Sequence, residues 1–131
     1  MNAIHHIAFN CKDLYAQEAF YTQHFGFRRA RVFNPDTPQE FLMLRLGACC
    51  LELFQAEGPP AGGSDGEQRV GFKHLAFEVD DIEARRNSLL ATGIDVDAII
   101  PCDQHCPGLQ VCFFRDPEGN ILELMQGWQD A

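Results

Sequence analysis

Nowhere in these 131 residues does an apolar run approach the roughly 18 that a membrane-crossing helix needs. A membrane span is therefore not expected. Basic residues are scarce too: ten Lys and Arg face nineteen Asp and Glu, and the formal charge of −9 repels phosphate backbones and anionic lipid surfaces. Nucleic acid and membranes are excluded as expected partners. The opening stretch MNAIHHIAFN lacks both the basic and the apolar region of a secretory signal, so a cytoplasmic address is expected. In that compartment the six cysteines, Cys11, Cys49, Cys50, Cys102, Cys106 and Cys112, read as reduced thiols, most of them small core hydrophobes.

What the chain does have is an internal repeat. HIAFNCKDL (6–14) aligns with HLAFEVDDI (74–82) at an offset of 68, and LELFQ (51–55) aligns with LELMQ (122–126) at an offset of 71. Gly26 and Gly93 correspond at 67. Three collinear matches define two tandem copies of one supersecondary unit.

Each copy opens on a β-rich run, IHHIAFNC or FKHLAFEV, followed by an aspartate, Asp13 or Asp81, suited to N-cap a helix. Helices are expected over about 14–25 and 82–92, ending at Gly26 and Gly93, where a left-handed residue costs least in glycine. Three strands should follow in each copy: about 27–33, 40–46 and 49–56, then 94–100, 108–115 and 120–126. The turn DPEGN (116–120) leads into the last of them. The predicted class is α+β, two tandem βαβββ modules forming an open, cup-like mixed sheet. One domain spans 1–131, with repeat 1 about 1–56, a Gly- and Pro-rich linker at 57–70 and repeat 2 about 71–127.

If a pseudo-two-fold relates the copies, His6 meets His74 and Glu52 meets Glu123. Two imidazoles and two carboxylates are a donor set for a divalent metal, the ion offsetting both negative charges. One strand sends successive side chains to opposite faces, so His5 and His6 are not expected to serve one site. His5 aligns with Lys73, which is no ligand, and the choice falls on His6. A lone His on a strand, or a lone Glu among leucines, is more often structural. Recurrence of both in register is what a plain half-buried sheet does not explain.

These motifs, with FYTQHFGF, CCLELFQ and FFRDPEGNILELMQ, resemble the vicinal oxygen chelate superfamily of glyoxalases, bleomycin-resistance proteins and dioxygenases, over nearly the whole chain. The glyoxalase I pattern of His, Glu, His, Glu falls on His6, Glu52, His74 and Glu123. The resemblance implies one divalent ion (Ni, Zn, Co, Mn or Fe), a homodimer and a small-molecule carbonyl substrate bound through two vicinal oxygens. A lyase or isomerase reaction through an enediolate is then expected, with Glu123 or Glu52 as the base. The alternatives are a metal-dependent dioxygenase, thiol transferase or epimerase of the same superfamily, and a metal-free small-molecule-binding protein of the resistance type. Asn10 stands where bacterial glyoxalase I usually carries an arginine that holds a glutathione carboxylate, which speaks against glutathione.

Other residues invite weaker readings. CDQHC (102–106) lacks the second cysteine pair of a structural zinc site and reads as a loop. Cys50 reads as an inert thiol, and His24 as a solvent-facing complement to its helix dipole. Arg28, Arg29 and Arg31 read either as contacts for an anionic substrate or as a solvated strand edge.

Overall fold

A computed structural model describes residues 2–58 and 70–131. The expected linker, 57–70, lies for the most part outside the described residues. The chain divides into two compact units, which correspond to the two sequence repeats.

In the first unit, β1 (His6–Cys11) leads into α1 (Leu14–Phe25), and β2 (Arg28–Phe33), β3 (Phe41–Leu46) and β4 (Cys49–Gln55) follow. The sheet order is β1-β4-β3-β2, with β1 parallel to β4 and the other pairs antiparallel. Asp13 caps α1 by accepting from the Ala16 amide at 3.0 Å. Gly26 stops the helix at φ 72°, where a side chain would be strained.

Alternation then sorts the sheet into two faces. Leu51 and Leu53 of β4, opposite Leu44 and Leu42 of β3, are buried with Leu14, Tyr21 and Phe25 of α1. Phe9 of β1 meets Tyr21 edge-on, and Tyr21 meets Phe27 likewise. The core of the unit therefore lies on the α1 side of the sheet. The opposite side carries His6, Ala8, Asn10 and Glu52.

The second unit repeats this plan. β5 (Leu75–Glu78), α2 (Ile82–Ala91), β6 (Ile100–Pro101), β7 (Gln110–Arg115) and β8 (Ile121–Gln126) form a sheet of order β5-β8-β7-β6, with β5 parallel to β8. Asp81 caps α2 through the Ala84 amide, and the Ile82 amide donates to Oε1 of Gln126 in β8. Together the units make an α+β fold of two βαβββ modules with mixed sheets.

One expected strand is mostly missing. Of the stretch 94–100, only a bridge from Val96 to Phe114 and the two-residue β6 pair with β7. Arg86 of α2 accounts for this: its side chain donates to the Val96 and Asp97 carbonyls at 3.2 and 2.8 Å, satisfying groups that a ladder would otherwise use. Pro101, with no amide to donate, is the last residue of β6, and the Cys102 amide after it donates to the Leu109 carbonyl at 2.8 Å.

The DPEGN turn is built on Asp116. Its Oδ1 accepts from the amides of Glu118 and Asn120 at 2.9 and 3.0 Å, and its Oδ2 accepts from the Asn120 side chain at 2.9 Å. At the far end of β8, Gly127 has no room for a side chain: a Cβ there would lie 2.5 Å from the Gly108 carbonyl oxygen.

Candidate metal centre

Each unit contributes one His and Glu pair across its parallel strands. In the first, Ala8 of β1 lies directly beside Glu52 of β4, so His6, two residues earlier on the same face, sits diagonally to it. His6 Nε2 comes to 3.6 Å from Glu52 Oε1. In the second, Ala76 of β5 lies beside Glu123 of β8, and His74 Nε2 comes to 3.0 Å from Glu123 Oε2. The small residue beside each acid is the reason His and Glu can approach. Sequence matches at two different offsets thus correspond to one repeated cross-strand geometry.

The pairs differ in their surroundings. Glu123 is 9% exposed, opposite Phe113 of β7, whose ring also meets His74 edge-on. Glu52 is half-buried, opposite Met43 of β3. His6 has a further polar neighbour: Nδ1 of His5 lies 3.0 Å from Nδ1 of His6, one nitrogen donating to the other. His5 stands outside the side-chain alternation of β1, which begins at His6.

Histidine nitrogen and carboxylate oxygen are borderline and hard donors suited to first-row divalent ions and zinc. The chemistry of the donor set fits such an ion. With Nδ1 of His6 engaged by His5, Nε2 is the nitrogen turned to the Glu52 carboxylate. Neither unit alone gathers three His, Cys, Asp or Glu side chains among the described residues.

The remaining sequence candidates are placed as follows. Cys102 to Cys106 form a tight turn in which the Cys106 amide donates to the Cys102 carbonyl at 3.1 Å, and Cys106 is buried against the Gly127 and Gln129 carbonyls. That is a loop, as expected. His24 is half-buried, its ring 5.1 Å from that of Phe20, and so does not simply face solvent. Cys50 is fully buried.

The arginines divide. Arg29 makes a bidentate pair with Glu18 of α1, at 2.5 and 2.6 Å, which raises its pKa further because the carboxylate holds the charged form. Arg28 and Arg31 face the other way. A bulge between Arg29 and Arg31 inserts one residue, so Arg28 opposite Arg45 and Arg31 opposite Met43 both project from the face that carries Glu52. Simple alternation would have grouped Arg29 with Arg31.

Beside that row lies another the sequence reading did not single out. Phe33, Phe41 and Phe54 occupy facing positions on β2, β3 and β4, and their rings stack at 4.4 and 4.5 Å with interplanar angles of 4° and 19°. The Arg31 guanidinium stands 5.9 Å from the Phe33 ring centre.

A sheet pair of this kind, built twice, defines a class of protein, and comparison with known families agrees. The model of the Glyoxalase/Bleomycin resistance protein/Dioxygenase superfamily matches residues 3–124, and the chain belongs to that superfamily. It is 34% identical over 131 residues to a protein of Escherichia coli (strain K12) named Uncharacterized protein YaeR, covering 96% of this chain and 97% of that one. The structure of a glyoxalase family protein from Enterococcus faecalis superposes with a TM-score of 0.78 at 34% identity, covering 94% of this chain and 96% of the other. A lactoylglutathione lyase from Agrobacterium tumefaciens superposes at 0.69 with 25% identity, covering 97% and 95%.

Proposed function

We propose that His6, Glu52, His74 and Glu123 together ligate one divalent metal ion, and that the protein is a metal-dependent lyase or isomerase of the glyoxalase I type acting on a small carbonyl compound. The observation that carries this reading is the recurrence of one cross-strand His and Glu pair in both modules, at 3.6 and 3.0 Å. In this reading the two modules work as one domain around one ion. A homodimer and a cytoplasmic address belong to the same proposal. Among the described residues no helix is long and apolar enough to cross a membrane.

The ion, when bound, would supply Lewis-acid polarisation of two vicinal oxygens; Ni, Zn, Co, Mn and Fe all suit these donors. The chain's own residues supply positioning and proton movement. His6 and His74 offer their Nε2 atoms, the first ring in contact with His5 through Nδ1 and the second packed on Phe113. Glu52 and Glu123 are the candidate bases: a carboxylate oxygen takes the proton from the carbon next to a carbonyl and returns it to the neighbouring carbon. Glu123 works in the drier setting, where a fixed charge acts more strongly on a reacting centre.

The lactoylglutathione lyase relative supports this reaction class, whereas Asn10, on the face of His6 and without a cationic side chain, argues against glutathione as the thiol. The experiment is a screen of the metal-loaded protein against hemithioacetals and α-hydroxycarbonyl compounds, following exchange of the carbon-bound proton with deuterated solvent. Exchange that is lost in Glu52→Gln or Glu123→Gln supports the reading. Metal-loaded protein that exchanges no proton in any of them contradicts it.

A further inference from the structure

The geometry points to a substrate class: a planar aromatic α-hydroxycarbonyl or dicarbonyl compound with an anionic group on the side of the ring away from its two vicinal oxygens. This rests on the proposed metal site, since it takes Glu52 and His6 as the end that meets those oxygens. Every residue that would make this contact lies on the first module's sheet.

The site face of that sheet is ordered in rows across the strands. Ala8, Glu52, Met43 and Arg31 form one row, and Asn10, Phe54, Phe41 and Phe33 form the next. From Glu52 to Arg31 is two strand spacings, about 10 Å between backbones, a span on the scale of a benzene ring substituted at both ends. A ligand held at Glu52 and reaching along its own row therefore ends at Arg31. On its way it passes Met43 and lies beside the phenylalanine stack.

The stack fits that occupant in detail. Ring separations of 4.4 and 4.5 Å nearly equal the strand spacing, so the ring planes stand along the strands and their edges face out of the sheet. Aromatic edges carry the positive rim of the quadrupole, which favours the π face of another ring or an anionic oxygen. All three rings are half-buried, leaving edges to contact.

Charge gives the same answer. The chain carries −9 overall, yet Arg28 and Arg31 project from this face, both exposed, and among the described residues neither has a carboxylate partner. Arg29, one residue from Arg28, is neutralised by Glu18 on the other face. The bulge in β2 is the device that turns two cations toward the site and only one away. A guanidinium packed by Phe33 is held ready for a carboxylate.

The test is calorimetric binding of three stable probes to metal-loaded and metal-stripped protein: 4-(hydroxyacetyl)benzoate, its neutral parent 2-hydroxyacetophenone, and the ring-free 5-hydroxy-4-oxopentanoate. Metal content is measured alongside. The loaded protein is expected to bind the aromatic carboxylate roughly ten-fold or more tightly than either other probe, as one charge-assisted contact provides. Arg31→Gln should bring that probe to the level of the neutral parent, and Phe41→Leu should bring it toward the ring-free one, both with unchanged metal content. Equal binding of all three to metal-loaded wild type, or an order unchanged in Arg31→Gln, overturns the inference and leaves the metal site standing. If wild type takes up no metal, the proposed function fails instead, and the stripped protein decides the recognition: an Arg31-dependent preference for the aromatic carboxylate upholds it, and none overturns it.

Discussion

His5 and His6 meet through their Nδ1 atoms at 3.0 Å, although neighbouring residues of one strand would point apart. The contact lies at the very start of the strand: His5 precedes β1, and its carbonyl accepts from the Cys50 amide of β4 at 2.7 Å. In the metal-site reading His5 orients its neighbour. His5→Ala is predicted to weaken metal affinity by about ten-fold, the lower end of what loss of an outer partner costs, and His6→Ala to remove binding. A competition titration against a chelator of known affinity reads both. No change in His5→Ala would separate the contact from the site.

The leucines that alternate with Glu52 hold the sheet on α1. Leu53 is fully buried, paired opposite Leu42, also fully buried. Leu53→Ala should destabilise the fold by about 2–5 kcal/mol, the usual cost of such a cavity. Urea denaturation measures it, and a shift below about 1 kcal/mol would mean that the helix side of this sheet is not the core.

Much of this was legible in the sequence, and the exceptions have causes. The repeat was readable because His, Glu and the capping aspartates recur at fixed places in both modules; both helices start at the expected aspartates, and α1 stops at Gly26 as expected, whereas α2 ends at Ala91 with Thr92 as its cap, one residue before Gly93. The stretch 94–100 did not become a full strand because Arg86, eight residues before it on α2, takes its carbonyls. Likewise the β2 bulge re-sorted the arginines, and the phenylalanine stack needed the register of three strands before its members became neighbours. Local pattern gives elements and caps. Side-chain competition for backbone groups, bulges and cross-strand register are set by tertiary structure.

The β7 to β8 turn depends on one carboxylate. Asp116 is buried and accepts from two backbone amides and one side-chain amide. Asp116→Ala leaves those donors without their acceptor and is predicted to cost about 1–3 kcal/mol. Because the turn feeds β8, thermal unfolding of the variant should show a lowered Tm, and an unchanged Tm would mean that solvent replaces the aspartate.

Cys112 is fully buried on β7, and burial pushes its thiol pKa up, with Asp97 and Glu123 adding to the effect while Arg86 opposes it. In the folded protein it should resist thiol reagents that label the half-buried Cys49 and Cys102. The sign for stability follows: the native state keeps a proton that the unfolded thiol loses above about pH 8.5, so stability falls as pH rises through that value toward the folded pKa. Cys112→Ala should flatten this alkaline decline in a pH series of denaturation curves. A decline of unchanged steepness would place its origin elsewhere.

The metal content of purified protein tests the central claim most directly, measured by elemental analysis for wild type, His6→Ala and Glu123→Gln after each is offered Ni, Zn, Co, Mn and Fe(II). About one divalent ion per chain in wild type, depleted by a change in either module, is the predicted result. Wild-type protein that retains none of these ions, or variants that retain them in full, would contradict the four-ligand site.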